Sequence, residues 1–268
     1  MRIERQCRGL RKAKGMVVAK DSKNGRAWPR RAAIALVAVI VLCAVGFGVY
    51  VSDYYHAGSD AQSLVAAGED SASARIADNG SSIAVGDPAS EYGVVLYPGA
   101  KVAAQAYVPL ACQLADRGVY CVIANMPFNL AFFGIDSADA LMAAAPQVQH
   151  WWLAGHSLGG AMGAQYAAGN VDKLEGVAFL GAYAASDLSS TNLKALVIYG
   201  DADGVLNRGK LATNETNLPA GAQTLVIEGG NHAGFADYGP QAGDGEASIS
   251  PAQQQSQTAA AIANAMRA

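Results

Sequence analysis

The sequence is short of the residues from which metal and redox sites are built. Four cysteines and four histidines occur in 268 residues, with no CxxC pair and no His/Cys cluster at metal-ligand spacing. A Walker-type phosphate loop and a dinucleotide fingerprint are absent from the sequence as well. We therefore expect a protein that needs neither a metal ion nor another cofactor.

Charged residues are also few, at 15% of the chain, and they are unevenly placed. Residues 1–31 carry eleven Lys and Arg against two acidic residues, whereas residues 52–268 carry eight against twenty. Residues 32–51 hold no charge, and twenty helical residues span about 30 Å, the thickness of the hydrocarbon core of a bilayer. These features predict a basic cytoplasmic tail over 1–31, which we do not expect to bind nucleic acid, and a transmembrane helix over 32–51.

The positive-inside rule places the rest of the chain on the outer side of the cytoplasmic membrane, held by this single helix. A cleaved signal peptide is the alternative, but the apolar run is longer than usual and no clear A-x-A site follows it. Residues 52–72 are polar and alanine-rich and predict a linker, which leaves 73–268 for one folded domain. Within that domain, Cys112 and Cys121 form either a disulfide or two buried thiols.

Strand and helix patterns alternate through this domain. Short apolar runs predict strands over 92–97, 119–124, 150–154, 174–180, 195–199 and 224–227, and weaker patterns cover 73–77 and 82–85. A helical pattern covers 103–117, and a last helix begins with Ser250 as N-cap and Pro251 at its first position. Strands that alternate with helices predict an α/β fold with a mostly parallel sheet covered on both faces.

A GxSxG motif lies between the apolar run 150–154 and a helical run of small residues. Its five residues are Gly155, His156, Ser157, Leu158 and Gly159. Strand, sharp turn and helix, with a serine at the apex, are what a nucleophile elbow requires. We predict that Ser157 is a nucleophile; the alternative is a serine that only caps the helix.

Acidic and basic side chains follow two later strands, where functional groups gather in a parallel sheet. Asp201 and Asp203 come directly after 195–199, and His232 comes shortly after 224–227. The other three histidines have ordinary interpretations as packing or surface residues. The order along the chain is therefore nucleophile, acid, base.

With these motifs the sequence resembles the α/β-hydrolase superfamily over about residues 80–268, and within it the compact dienelactone-hydrolase and esterase type. The resemblance implies that His232 is the general base and that Asp203, which stands three residues after Gly200, is preferred over Asp201 as the orienting acid. It also implies an oxyanion hole from the N–H groups of Leu158 and Ala100. Too few residues lie between 180 and 194 for a helical lid.

Substrate contacts are harder to place from sequence. Gly99, Phe128 and His156 are candidate pocket residues, and the apolar stretch 126–133 either lines an acyl pocket or packs in the core. Residues 237–250 form a loop beside His232 whose carboxylates we interpret as solvated, not as cation ligands.

The predicted function is hydrolysis of an ester or related acyl bond in a small-molecule substrate through an acyl-serine intermediate, outside the cytoplasmic membrane. An acyltransferase or a serine peptidase would use the same three residues. A member of the fold that binds ligands without catalysis is the third alternative.

Overall fold

A computed structural model describes residues 27–68 and 75–268. Most of the predicted basic tail, the last residues of the predicted linker and the first two residues of the predicted 73–77 strand lie outside these ranges. The chain divides into two units, with the boundary between Tyr50 and Val51.

Helix α1 covers Ala27–Ser52, which is the described part of the first unit together with the first two residues of the second. The segment Trp28–Ser52 is long and apolar enough to cross a membrane, and none of its most apolar window is buried. The helix therefore starts five residues before the predicted span 32–51 and ends one residue after it. Its length and composition are compatible with a membrane anchor.

The second unit is built on one eight-stranded sheet. Its strands are β1 (Ile76–Asp78), β2 (Ser82–Val85), β3 (Tyr92–Tyr97), β4 (Val119–Ala124), β5 (His150–His156), β6 (Gly176–Leu180), β7 (Lys194–Gly200) and β8 (Gln223–Ile227). The spatial order is β1-β2-β4-β3-β5-β6-β7-β8. The first two strands pair antiparallel and all the others pair parallel. The predicted α/β class and mostly parallel sheet are confirmed.

Helices cover both faces of this sheet. They are α2 (Ser59–Ala67), α3 (Val108–Ala115), α4 (Ser137–Ala143), α5 (Leu158–Gly169), α6 (Arg208–Thr213) and α7 (Pro251–Arg267), with short 3-10 turns at Ala104–Tyr107, Pro127–Asn129, Ala131–Phe133, Val171–Lys173, Asn214–Asn217 and Ala233–Phe235. One apolar core lies under α3 and α7, and a second lies under α4 and α5. Ser250 caps α7 as predicted, in a capping box with Gln253.

Part of the predicted linker 52–72 belongs to the folded unit. Tyr55 forms a bridge with Val102, and Ala61 of α2 is fully buried. The Asp237 carboxylate accepts the N–H of Ala61 at 2.8 Å, and its carbonyl accepts the N–H of Gly58 at 2.7 Å. The folded unit therefore begins before residue 73, because a partner far along the chain satisfies this polar segment.

The helical pattern over 103–117 corresponds to two pieces, the 3-10 turn Ala104–Tyr107 and helix α3. Proline stands in the first turn of α3, where its missing N–H costs nothing. The two pieces meet at Tyr107, whose side chain is completely buried.

The two cysteines of this unit are free thiols. Cys112 and Cys121 are both buried. Burial disfavours the charged thiolate, which raises the pKa of Cys112 to about 11 and raises that of Cys121 as well. Of the two alternatives that the sequence left open, the structure has the free thiols.

Candidate active site

Ser157 stands at the apex of the turn between β5 and α5. Its backbone is held at φ 52° and ψ −118°, a conformation that non-glycine residues rarely adopt, and its N–H donates to the carbonyl of Leu180 at 2.9 Å. The flanking glycines allow the close packing of the turn. A Cβ on Gly155 would lie 2.4 Å from the carbonyl oxygen of Gly159, and a Cβ on Gly159 would lie 2.2 Å from that of Tyr97. The motif therefore forms the strained elbow that its sequence predicts.

Gly159→Ala tests this packing. The new methyl group meets backbone, which cannot rotate away, so we expect a loss of about 2 kcal/mol or more in the free energy of unfolding, together with loss of activity. Gly169→Ala is the matched control, because Gly169 ends the same helix with nothing within 4 Å of an added Cβ. We expect the control to keep its melting temperature and activity. Thermal unfolding compares the two, and equal stability of both variants would contradict the close approach at Gly159.

Asp203 and His232 form a buried pair at the ends of β7 and β8. The exposed fraction is 6% for Asp203 and 1% for His232. Oδ2 of Asp203 lies 2.9 Å from Nδ1 of His232, while Oδ1 accepts the N–H groups of Val205 and Leu206. This carboxylate is thus fixed by its own loop and holds Nδ1 of the imidazole.

Asp201 does not take this place. Its carboxylate lies at the surface and accepts the N–H of Gly229 at 2.8 Å, which joins the two strand-end loops from outside. Of the two carboxylates, Asp203 is the one that lies against Nδ1 of His232.

Ser157 and His232 line one cavity of about 260 Å³. Nε2 of His232, the ring nitrogen not held by Asp203, is buried and has no hydrogen-bond partner among the described residues. In proteins without bound substrate, a catalytic base and its nucleophile are often too far apart for a hydrogen bond. The complete lining is Ser157, Leu158, Ala161, Gly181, Ala182, Tyr183, Val205, Leu206, Asn207 and His232.

The loop after β3 presents one available backbone donor. The N–H of Gly99 donates to the hydroxyl of Tyr107 at 2.8 Å, and the N–H of Lys101 donates to the carbonyl of Asn129 at 2.7 Å. Proline at position 98 has no N–H. In the described part of the chain no acceptor pairs with the N–H of Ala100, which leaves it as the donor that this loop can offer.

Leu158 is the first residue of α5, so its N–H has no acceptor within the helix. Ala100 and Leu158 were the two oxyanion donors expected from the sequence. Because the N–H groups of Gly99 and Lys101 are already paired, Ala100 is the better candidate in this loop. The sequence pattern alone could not distinguish between these neighbours.

The three predicted pocket residues do not line this cavity. His156 is fully buried, Gly99 is buried with its N–H turned toward Tyr107, and the Phe128 side chain is 53% exposed. The reason for His156 is geometric: successive residues of a strand alternate between faces, so the residue before the apex turns into the core. Apart from Ser157, the start of α5 and His232, the cavity is lined by residues that follow β6 and β7.

The remaining histidines lie away from the cavity. His150, at the start of β5, pairs with Glu175, which raises its pKa. His56 stacks against Tyr54. Their ordinary interpretations agree with these positions.

Asp244 is a supporting residue that the sequence did not reveal. Its carboxylate accepts the N–H groups of Gly204, His232, Ala233 and Gly245 at 2.8 to 3.1 Å. It therefore ties the loop of Asp203 to the loop of His232. The carboxylates of the 237–250 loop were interpreted as solvated, but Asp244 and Asp237 both bind backbone N–H groups.

No group of three or more His, Cys, Asp or Glu that could hold a metal ion occurs within residues 27–68 and 75–268. The site is built from a serine, a histidine and a carboxylate.

Comparison with known families places the chain. A family model described as "Alpha/beta hydrolase family" matches residues 93–256, which is more than half of the chain. No curated protein sequence matches the chain.

Several solved structures share the fold. Est1E from Butyrivibrio proteoclasticus is 15% identical, with a TM-score of 0.53 over 73% of this chain and 98% of its own. A predicted CIB-like hydrolase from Thermoplasma acidophilum is 12% identical, with a TM-score of 0.53 over 71% of this chain and 97% of its own. A putative lipase from Acinetobacter baumannii AYE is 11% identical, with a TM-score of 0.55 over 77% and 96%.

Proposed function

The chain belongs to the alpha/beta hydrolase family, and from this premise we propose that it is a serine hydrolase that cleaves an ester or related acyl bond through an acyl-serine intermediate. The observation that carries the proposal is the buried Asp203–His232 pair. Within the described residues, Nε2 of His232 has no hydrogen-bond partner, and His232 lines the same cavity as Ser157. In such a pair the carboxylate orients the imidazole, and the imidazole acts as a general base toward a nearby nucleophile.

Acylation begins at Ser157. A serine hydroxyl is a poor nucleophile at neutral pH, so Nε2 of His232 accepts its proton while Oγ attacks the substrate carbonyl. Asp203 holds Nδ1–H and stabilises the imidazolium that forms. His232 then returns the proton to the leaving alcohol, and an acyl-serine remains. Water attacks this ester with His232 as base again, which releases the acid and restores Ser157.

The tetrahedral intermediate of each step carries a negative oxygen. The N–H groups of Ala100 and Leu158 are the donors that we assign to it. Donors fixed in the protein before the reaction stabilise this charge without reorganising, which is a large term in acyl transfer.

The dimensions of the cavity favour a small acyl group. About 260 Å³ lies below the usual range of about 300–1,000 Å³ for small-molecule sites. Ala182, Val205 and Leu206 supply apolar surface around Ser157. Residues 181–193 form no helix, so they provide no helical lid. We therefore propose short-chain esters as the preferred substrates.

A panel of p-nitrophenyl esters, combined with a fluorophosphonate probe, tests the proposal on the full chain in detergent. We expect labelling on Ser157, mapped by mass spectrometry, and faster hydrolysis of the acetate and butyrate than of the palmitate. Added alcohol or amine acceptors distinguish an acyltransferase, and peptide substrates distinguish a peptidase. A folded protein that neither labels nor hydrolyses would favour the ligand-binding alternative.

We further propose that α1 anchors the protein in the cytoplasmic membrane, with Val51–Ala268 on the outer side. The charge difference between the two flanks supports this orientation. Protease added to intact spheroplasts should then degrade Val51–Ala268, whereas protection until the membrane is opened would reverse the orientation. Recovery of a chain that lacks α1 would favour a cleaved signal.

A further inference from the structure

Tyr107 has no part in the chemistry above, but its hydroxyl contacts two residues of the site's surroundings, Gly99 and His156. The residue is fully buried. Its Oη accepts the N–H of Gly99 at 2.8 Å and lies 2.7 Å from Nδ1 of His156. Both neighbours are buried too, so no water is needed to complete the bridge.

One assignment of donors and acceptors satisfies every proton of this bridge. Gly99 donates its N–H to Oη, and the hydroxyl donates its own proton to Nδ1 of His156, which is then unprotonated. The reverse arrangement, with Nδ1–H donating to Oη, would leave the buried hydroxyl proton without an acceptor among the described residues. Burial lowers the pKa of His156 well below its ordinary value, and the nearby His232, with ring centroids 4.5 Å apart, lowers it further. His156 is therefore a neutral acceptor next to the base.

The bridge joins the residue before the proposed nucleophile to the residue before the proposed oxyanion donor. His156 directly precedes Ser157, and Gly99 directly precedes Ala100. We propose that the hydroxyl of Tyr107 is a positioning group that sets the separation between the nucleophile and the oxyanion donor, a role that rests on the proposed function. Tyr107 and His156 touch no reacting atom in this role.

The sheet itself cannot supply this constraint. The ladder between β3 and β5 ends at the pair Tyr97–Gly155. The next residue after Tyr97 is Pro98, which has no N–H for a further rung. The bridge through Tyr107 replaces the missing rung at the point where the two chains separate toward Ala100 and Ser157.

Tyr107→Phe removes the hydroxyl and keeps the ring. With p-nitrophenyl acetate we expect kcat to fall about 10- to 100-fold, since a displaced oxyanion donor stabilises the transition state less. We expect KM to change less than threefold, because the substrate cavity does not include this residue. A variant whose kcat stays within threefold of the wild type would overturn the proposal.

Tyr97→Phe is the matched control. Tyr97 is also fully buried, and its hydroxyl also makes two hydrogen bonds, donating to Ile135 and accepting from the N–H of Ala138. Both variants lose one buried hydroxyl, but only Tyr107 connects to the site. We expect the control to keep kcat within threefold. An equal loss of kcat in both variants would assign the effect to general destabilisation and overturn the proposal.

The partner residue provides a rescue test. In His156→Asn, the side-chain oxygen occupies nearly the place of Nδ1 and can accept the proton of the Tyr107 hydroxyl. We expect it to retain at least a third of the wild-type kcat. His156→Leu has no acceptor and should lose kcat as Tyr107→Phe does. Equal activity of the two His156 variants would contradict the bridge.

Hydrogen exchange separates this proposal from the proposed function. Peptides that cover residues 98–102 should exchange at least tenfold faster in Tyr107→Phe than in Tyr97→Phe, whether or not the protein hydrolyses esters. An inactive, unlabelled wild type would remove the proposed function while exchange still decides on the bridge. An active wild type with unchanged kcat and exchange in Tyr107→Phe would remove the bridge alone.

Discussion

Ser157→Ala is expected to lower kcat for p-nitrophenyl acetate by about 10⁴- to 10⁶-fold, as loss of a nucleophile does in serine hydrolases. The residual rate would come from the oxyanion donors and from substrate binding, neither of which the substitution removes. Labelling by the fluorophosphonate should disappear completely. Initial-rate kinetics and mass spectrometry of the probe adduct check both outcomes.

The loss must come from chemistry and not from unfolding. Alanine keeps a Cβ in the same strained backbone at position 157, and the N–H bond to Leu180 does not involve the side chain. We therefore expect the melting temperature to change little. Ser190→Ala, at an exposed loop position, is the control and should retain full activity. A Ser157→Ala protein that keeps a tenth of the wild-type rate would show that another residue is the nucleophile.

Asp203→Asn is expected to lower kcat by about 10⁴-fold, the size seen when the carboxylate of such a triad becomes an amide. An amide N–H can donate to Nδ1 of His232, which then carries its proton on Nε2 and cannot accept one from Ser157. The structure gives the reason for a large effect: the carboxylate is almost wholly buried and lies directly against Nδ1. Measurement of kcat from pH 5 to pH 10 tests the change.

Asp201→Asn is the matched control, two residues away in the same loop. Its side-chain oxygen can still accept the N–H of Gly229, only the exposed negative charge is lost, and kcat should stay within about threefold. The two variants thus decide between the carboxylates that the sequence offered. A larger loss at Asp201 than at Asp203 would reverse the assignment of the acid.

Local patterns were sufficient for much of the fold. The bounds of β2, β3 and β4 agree with the predicted runs to the residue, since each is a short apolar segment ended by turn-forming residues. The cap at Ser250 was also predictable, because a capping box is a signal within four residues. The order Ser157, Asp203, His232 needed only the rule that functional groups gather at strand ends.

Contacts between distant parts of the chain were not predictable in this way. The bridge from Tyr107 to His156 crosses 49 positions, and the bond from Ala61 to Asp237 crosses 176. A buried tyrosine in a helical pattern has the same sequence signal whether its hydroxyl supports a site or only packs. The three predicted pocket residues do not line the cavity for a related reason. The cavity is lined largely by loops, and the course of a loop cannot be predicted from hydrophobic periodicity.

Through Asp244, the 237–250 loop supports the candidate site although the loop lies at the surface. The loops of Asp203 and His232 are both held by the carboxylate of Asp244. The two residues before it, Ala242 and Gly243, are exposed. A single proteolytic cut at this point would release the carboxylate from both loops and inactivate the enzyme with its core intact. Inactivation by limited proteolysis should therefore precede unfolding, so the time for which activity lasts in the presence of a protease should depend on this segment more than on melting temperature.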